Sequence, residues 1–439
     1  MRTAAIAGGG VAGIAAAAAL ADAGFRVILL ESRPYLGGRA SSYALPGRDS
    51  EIIDNCQHIL LKCCVNLLDL YRRLGVENQI EFHGEFHYLE PGGRRSVLRS
   101  GFLPAPLHFS GSFASLRFLS PGEKLEVARG LLALRREYGR RSDLDSITMQ
   151  QWLEEKRQSP RTISRFWAPV LVSAVNEELD RMAALHGFQV FRLAFLSTKD
   201  AYQMGVPRVP LGQIHSAERL AASTGAQVLL RRKVTGLHAE GRLVRALVTE
   251  NGPVEADVFV SALPFEPLRQ LAPGLLDDWS VFEHSPIAGI HLWFDRPVTD
   301  LPHAVLLDSP FQWFFNKSGG RYLQLVVSAS RCLETWPRQQ AAARAFEDLC
   351  RYLPEARRAR LERYHVVKEI RATFSARPGL AARRPRPETR FENLFLAGDW
   401  TDTGWPSTME GAARSGYRAA EAVCHSFGQP RKFLLPDIA

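Results

Sequence analysis

A two-domain α/β fold is predicted, one unit built on a parallel sheet from widely separated pieces of chain, the other combining a mixed sheet with helices. Three observations point to it. The apolar run Thr3–Ala7 meets Gly8-Gly9-Gly10-Val11-Ala12-Gly13 and an Ala-rich helix to about Ala23, and a second strand, 25–30, ends at Glu31. That is a β-α-β pattern. Apolar runs at 226–234, 241–248 and 255–262 read as a meander leading into a further strand, and 393–398 is a last short strand before a helix from Glu410 to about Phe427.

Between these pieces the pattern changes. Residues 95–205 read as mostly helical, with amphipathic runs near 121–141, 148–157 and 160–175, whereas 280–375 mixes strands such as 287–294 and Tyr322–Ser328 with a helix near 337–352. The expected division is 1–95, 205–280 and 376–430 for the discontinuous unit and 96–204 with 281–375 for the other. The Pro/Arg stretch 377–387 is the clearest linker, and no repeat or low-complexity tract interrupts the chain.

Bulk properties exclude several classes. A chain of 439 residues, 46% apolar and 23% charged, is long enough for two cores and too apolar for disorder. Met1-Arg2-Thr3 runs straight into the Gly-rich turn, unlike a secretory leader, and no charge-free run of about 20 apolar residues occurs, so a spanning helix is not expected. A cytoplasmic location is the expectation. The six cysteines, Cys56, Cys63, Cys64, Cys332, Cys350 and Cys424, lack CxxC spacing, which predicts free thiols and no metal. Only 8 of the 55 basic residues behind the net charge of +9 are Lys; no stacking or groove-reading motif accompanies the charge, so nucleic acid is not an expected partner.

The Gly-rich run has the GxGxxG spacing of a Rossmann fingerprint. Gly8 makes a tight turn, Gly10 lets backbone approach a pyrophosphate, Gly13 lets helix and strand pack, and the helix end behind Val11 and Ala12 offers N–H groups to phosphate. Glu31, followed by Ser32, can accept hydrogen bonds from ribose hydroxyls and repels a 2′-phosphate. Just beyond, Gly37-Gly38-Arg39 allows close approach and neutralises a diphosphate, which favours FAD over NAD. Near the other end, a strand stops at Gly398 and Asp399 can bind ribityl or phosphate-side hydroxyls. Thr408 and Met409 open a helix whose N–H groups can aim at a flavin carbonyl. Two motifs almost 400 residues apart thus suit one long dinucleotide. No Cys or His sits in the C-terminal motif, so FAD is expected to be held non-covalently.

These elements, with Val234 in an adenine-side strand and Ser261-Ala262-Leu263-Pro264, resemble the amine oxidase and phytoene desaturase superfamily of flavoproteins over nearly the whole chain. Within it, Asp54-Asn55-Cys56-Gln57-His58, Val206-Pro207-Arg208-Val209-Pro210-Leu211 and Gly404-Trp405-Pro406-Ser407-Thr408-Met409-Glu410-Gly411 resemble the hydroxysqualene dehydroxylases, also called squalene-associated FAD-dependent desaturases. Cys56 departs from the glycine common in relatives. The resemblance implies a reduction in squalene or hopanoid synthesis: an isoprenoid alcohol loses its hydroxyl and receives a hydride from reduced flavin. The alternatives are a carotenoid-type desaturase or amine oxidase, which run the flavin the other way, and a non-enzymatic escort of prenyl lipids, which shares the scaffold without the flavin motif.

Such a reaction calls for a proton donor and cation-tolerant walls. His58 is the catalytic candidate and also a candidate flavin neighbour; packing alone is the other reading open for it, and Asp54 reads as structural. Candidate aromatic walls are Phe102, Phe109, Phe113, Trp167, Phe188, Phe191, Trp293, Trp313, Phe314, Phe315 and Trp405. The apolar stretch 101–109 leaves two readings open, a peripheral contact with the inner face of a membrane or a tunnel lining.

Overall fold

Apolar strands with Gly or acid at their C-terminal ends assemble as the β-α-β pattern requires. In the computed structural model, which describes residues 1–45 and 47–438, β1 (Thr3–Ala7), β2 (Arg26–Leu30), β3 (Gln227–Leu229), β4 (Val258–Ser261) and β5 (Leu394–Leu396) form a parallel sheet in the order β3-β2-β1-β4-β5. The register, Ala7 beside Leu30 and Ser261, and Ser261 beside Leu396, brings Gly8, Glu31, Ala262 and Gly398 to one edge of the sheet. Open parallel sheets bind ligands there, outside the carboxyl ends of the strands.

The helices that matter to the site are α1 (Val11–Asp22), α2 (Val65–Arg73), α3 (Ala168–Val175) and α4 (Met409–Ser426). Every residue of α1 from Val11 to Leu20 is buried, which explains a helix apolar all round. Its small side chains let α4 approach closely: a Cβ on Gly416 would sit 2.7 Å from Ala16 N and 2.8 Å from Ala15 Cβ. This contact carries the N-terminus of α4 to the fingerprint from the far end of the chain.

The second sheet has seven strands in the order Leu361–Phe374, His284–Phe294, Tyr322–Ser328, Trp313–Ser318, His303–Leu306, Glu85–Leu89 and Arg95–Arg99. All neighbours are antiparallel except Glu85–Leu89 with His303–Leu306. Alternation sends Trp313 and Phe315 toward the helical region and Phe314 to the opposite face, where it shares a core with Ala341, Ala345 and Leu349 of the helix Arg338–Tyr352. The helical runs appear as Pro121–Glu137, Met149–Glu155 and a continuous stretch from Pro160 to Val175.

Three readings need correction. The run 226–234 is two strands: β3 ends at Leu229, Arg231 takes a positive φ of 53°, and Val234–Glu240 starts an antiparallel meander with Leu243–Thr249 and Gly252–Glu255. The run 255–262 likewise divides, its start ending the meander and Val258–Ser261 entering the parallel sheet. Within the stretch 377–387, read as a linker, Arg384 is 6% exposed and its side chain bonds the 399–405 loop. Glu85–Leu89, inside the 1–95 piece, pairs with the second sheet. Among the described residues, no helix is long and apolar enough to cross a membrane.

Candidate active site

A cavity of about 530 Å³ opens at the carboxyl edge of the parallel sheet and reaches the second sheet and α3. Gly8, Gly10, Val11, Ala12, Glu31, Ser32, Gly37, Gly38, Arg39, His58, Val234, Gly398, Asp399, Thr408 and Met409 all line it. Gly13 does not: a Cβ there would collide with Gly8 O, so its place is the helix–strand packing behind the wall.

The glycines leave backbone, not side chains, facing the cavity. Gly37 N donates to Gly9 O at 2.8 Å, and Gly8, Gly37 and Gly38 hold φ of 104°, 103° and 60°, a region that disfavours any Cβ. Gly10 caps α1 without any side-chain acceptor, so the first-turn N–H groups remain for an anion. Glu31 pins this frame: its carboxylate accepts from Gly9 N at 2.8 Å, Arg33 N at 2.8 Å and Ser32 Oγ at 3.1 Å. Across the cavity Arg39 forms an ion pair with Asp399, which also accepts from Ser407 Oγ. Sites 360 residues apart in sequence therefore share one polar seam, and glycine-lined backbone, helix N-termini and paired charge suit a dinucleotide.

Arg384 sets the loop that carries Asp399. Its guanidinium donates to Asp399 O and Trp405 O at 2.6 Å each and to Thr403 Oγ1 at 2.9 Å, over the face of Phe374. Burial lowers it to about 10, still charged at neutral pH. Glu410, one residue into α4, accepts from Leu67 N at 2.7 Å and Asn66 Nδ2 at 2.9 Å, so one buried carboxylate caps α2 while heading α4. Behind the 37–40 loop, His215 meets Ala40 O at 3.0 Å and Tyr71 OH at 3.2 Å; burial drops it to about 4, leaving it neutral.

His58 Nδ1 lies 3.0 Å from Cys56 O, and burial lowers its pKa. Beside it, the Lys317 ammonium donates to Gln57 Oε1 at 2.9 Å and stands 3.9 Å from Asp54; burial lowers the lysine too. Asp54 accepts from Ser42 Oγ at 2.7 Å and Leu211 N at 2.9 Å, joining the 54–58 and 206–211 segments. Cys56 does not have a positive φ, so a side chain is tolerated; burial pushes its thiol up to about 12.

None of the expected aromatic wall residues lines this cavity. Trp400 does, with Leu263, Leu271, Ala174 and Ile287. Trp313 reaches it indirectly, donating Nε1–H to the cavity residue Ser173 at 2.9 Å; Trp293 stacks on Tyr322, and Phe102 is 89% exposed. Sequence reading missed Arg384, Lys317, His215 and Ser173. Only Arg384 had a local signal, as part of one of several basic clusters, the one that precedes the C-terminal motif, and composition alone makes such clusters look solvated.

The fold and this seam define a flavin-dependent oxidoreductase of the Rossmann type that binds FAD. Residues 11–424 match the model of the flavin containing amine oxidoreductases, and the chain belongs to that family. It is 30% identical over 433 residues to hydroxysqualene dehydroxylase of Rhodopseudomonas palustris, covering 96% of this chain and 98% of that protein. It is 27% identical over 458 residues to 15-cis-phytoene desaturase of Synechococcus elongatus, covering 95% of each. A solved putrescine oxidase structure with bound putrescine shares the fold, with a TM-score of 0.72 at 17% identity over 97% of this chain and 99% of that one.

Proposed function

We propose that this protein reduces the allylic isoprenoid alcohol hydroxysqualene to squalene. The observation that carries the reading is similarity to a hydroxysqualene dehydroxylase across essentially the whole of both chains, in a molecule whose cavity joins a dinucleotide cradle to an apolar wall. Bound and reduced, FAD supplies the hydride that replaces the departing hydroxyl. The chain's residues do the rest. The N-terminus of α1, Gly37, Gly38 and Arg39 would hold the diphosphate of FAD, Glu31 its adenosine ribose, and the N–H groups of the first turn of α4 would stabilise negative charge on the reduced cofactor. Leu263, Leu271, Ile287 and Trp400 keep water from a carbon that becomes electron-deficient as the hydroxyl leaves. His58 hands the leaving oxygen a proton. The exposed Phe102 and Leu107, at 89% and 58%, support a peripheral lipid contact for substrate entry.

A second reading, carotenoid-type desaturation, is supported by the phytoene desaturase relative, since one scaffold serves hydride transfer in either direction. Anaerobic stopped flow separates them. Photoreduced holoenzyme mixed with hydroxysqualene is expected to regain the oxidised flavin spectrum and yield squalene, while oxidised holoenzyme ignores squalene. Reduction of the oxidised flavin by squalene or phytoene overturns the proposal in favour of the desaturase.

A further inference from the structure

The cavity is lined by few hydroxyl groups, and their protons are committed with one exception. Ser32 donates to Glu31, Ser407 to Asp399, Thr408 to Pro406 O at 3.3 Å, and Thr373 to Ser285 O at 3.4 Å. Ser173 differs. Its oxygen accepts Trp313 Nε1–H at 2.9 Å, and among the described residues nothing accepts its proton. A serine hydroxyl carries one donor and two acceptor sites, so the Trp313 bond occupies a lone pair and leaves the O–H free for a ligand. The residue is only partly buried, where it meets the cavity.

Its position is held firmly. Ser173 sits in the last turn of α3, which ends at Asn176 in the left-handed conformation, φ 59°. Asn176 Nδ2 donates to Thr373 Oγ1 at 2.8 Å and to Ser285 O at 3.1 Å, while its Oδ1 accepts from Ala329 N at 2.7 Å. Three strands of the second sheet or their ends thus lock the helix terminus, and Trp313 fixes the serine from the side. Its neighbours on this wall are the apolar Ala174 and Ile287 together with Asn176 and Thr373, whose polar side chains are already bonded to each other.

We infer that Ser173 is the specificity residue that donates a hydrogen bond to the hydroxyl oxygen of the alcohol substrate, an inference that rests on the dehydroxylation reading. A fixed hydroxyl donor with a free proton beside the apolar Ala174 and Ile287 distinguishes an alcohol from the hydrocarbon it becomes, a binding role separate from the proton delivery assigned to His58. Product, lacking the oxygen, loses that bond and leaves.

The test is steady-state and inhibition kinetics of holoenzyme with hydroxysqualene as substrate and squalene as product inhibitor, in wild type, Ser173→Ala and Ser173→Thr. Ser173→Ala is expected to raise the KM for hydroxysqualene about 2- to 12-fold, the range for one neutral hydrogen bond, with the inhibition constant of squalene unchanged. Ser173→Thr, which keeps the hydroxyl, should restore most of the KM. An unaltered KM in Ser173→Ala, or equal weakening of alcohol and hydrocarbon, overturns the assignment. If Ser173→Ala does not fold, Ser173→Thr with a KM raised as far as a Ser173→Val variant does the same. Wild-type holoenzyme that leaves hydroxysqualene untouched overturns the dehydroxylation reading and this inference with it, an outcome distinct from wild-type turnover that Ser173→Ala leaves unchanged.

Discussion

Glu31 is held by three donors from its own surroundings as well as facing the cavity, so it both orders the fingerprint and presents a carboxylate. Glu31→Ala should therefore cut FAD retention at least about tenfold, each charge-assisted bond being worth about 1.5–3 kcal/mol. Flavin occupancy after dialysis measures this, and full occupancy would argue against the assignment. His58 lies in a more delicate balance. Burial lowers its pKa from the ordinary 6.5, the Cys56 carbonyl and Asp54 push it back up, and Lys317 and Arg39 lower it further. A proton-donating His58 then makes flavin reoxidation by hydroxysqualene faster as pH falls below 6.5. Lys317→Met removes a lowering charge, so the acid limb of that profile should move to higher pH. His58→Phe should erase the limb and slow reoxidation roughly 10²–10⁴-fold with flavin retained. Identical profiles for wild type and Lys317→Met would break the link between the two residues.

At the scale of elements, Glu410 couples two helix ends. Its carboxylate is 1% exposed and satisfies Leu67 N and the Asn66 side chain, so α2, which follows the His58 segment, cannot shift without α4, which faces the cavity. Desolvation raises its pKa against these bonds. Glu410→Ala strands buried donors and should destabilise the protein by about 2–4 kcal/mol, with Glu410→Gln losing less because the amide oxygen still accepts. Urea denaturation of the two variants gives the comparison; because Gln keeps the volume of Glu, equal losses would mean that the charged carboxylate with both its oxygens, not one accepting oxygen or the filled volume, sets the cost.

The whole molecule carries a set of buried neutral histidines. Desolvation brings His186, His291 and His303 down to about 3 and His215 to about 4, from an ordinary 6.5. Because the folded values are depressed, the unfolded chain takes up these protons first. Their contribution is complete above pH 6.5 and is lost as pH falls through 6.5 toward 3–4. At pH 5 each such residue costs about 2 kcal/mol. The thermal midpoint should thus drop steeply between pH 7 and pH 5, less steeply in a His303→Phe variant that folds. A midpoint flat across that window would contradict the burial of these rings as neutral groups.

The nucleotide cradle was legible in the residues themselves because its chemistry is local. Gly8, Gly10, Glu31, Gly37, Gly38 and Arg39 stand at spacings that one β-α-β turn imposes, and Gly398, Asp399, Thr408 and Met409 repeat that economy at one strand end. The sequence by itself therefore determined the fold class, the cofactor and the motif residues that meet at the cavity, with Gly13 behind its wall. Only the tertiary structure decided which residues share the cavity from outside those motifs. Arg384 reads as linker until its guanidinium is seen gathering the carbonyls of Asp399 and Trp405, and Lys317 and Ser173 belong to segments with no motif. The expected aromatic walls failed for the same reason: an aromatic side chain packs equally well in any core, and its sequence position carries no information about which face of a strand or helix meets the ligand. Such contacts arise from close packing between distant segments, and no periodicity or spacing encodes them.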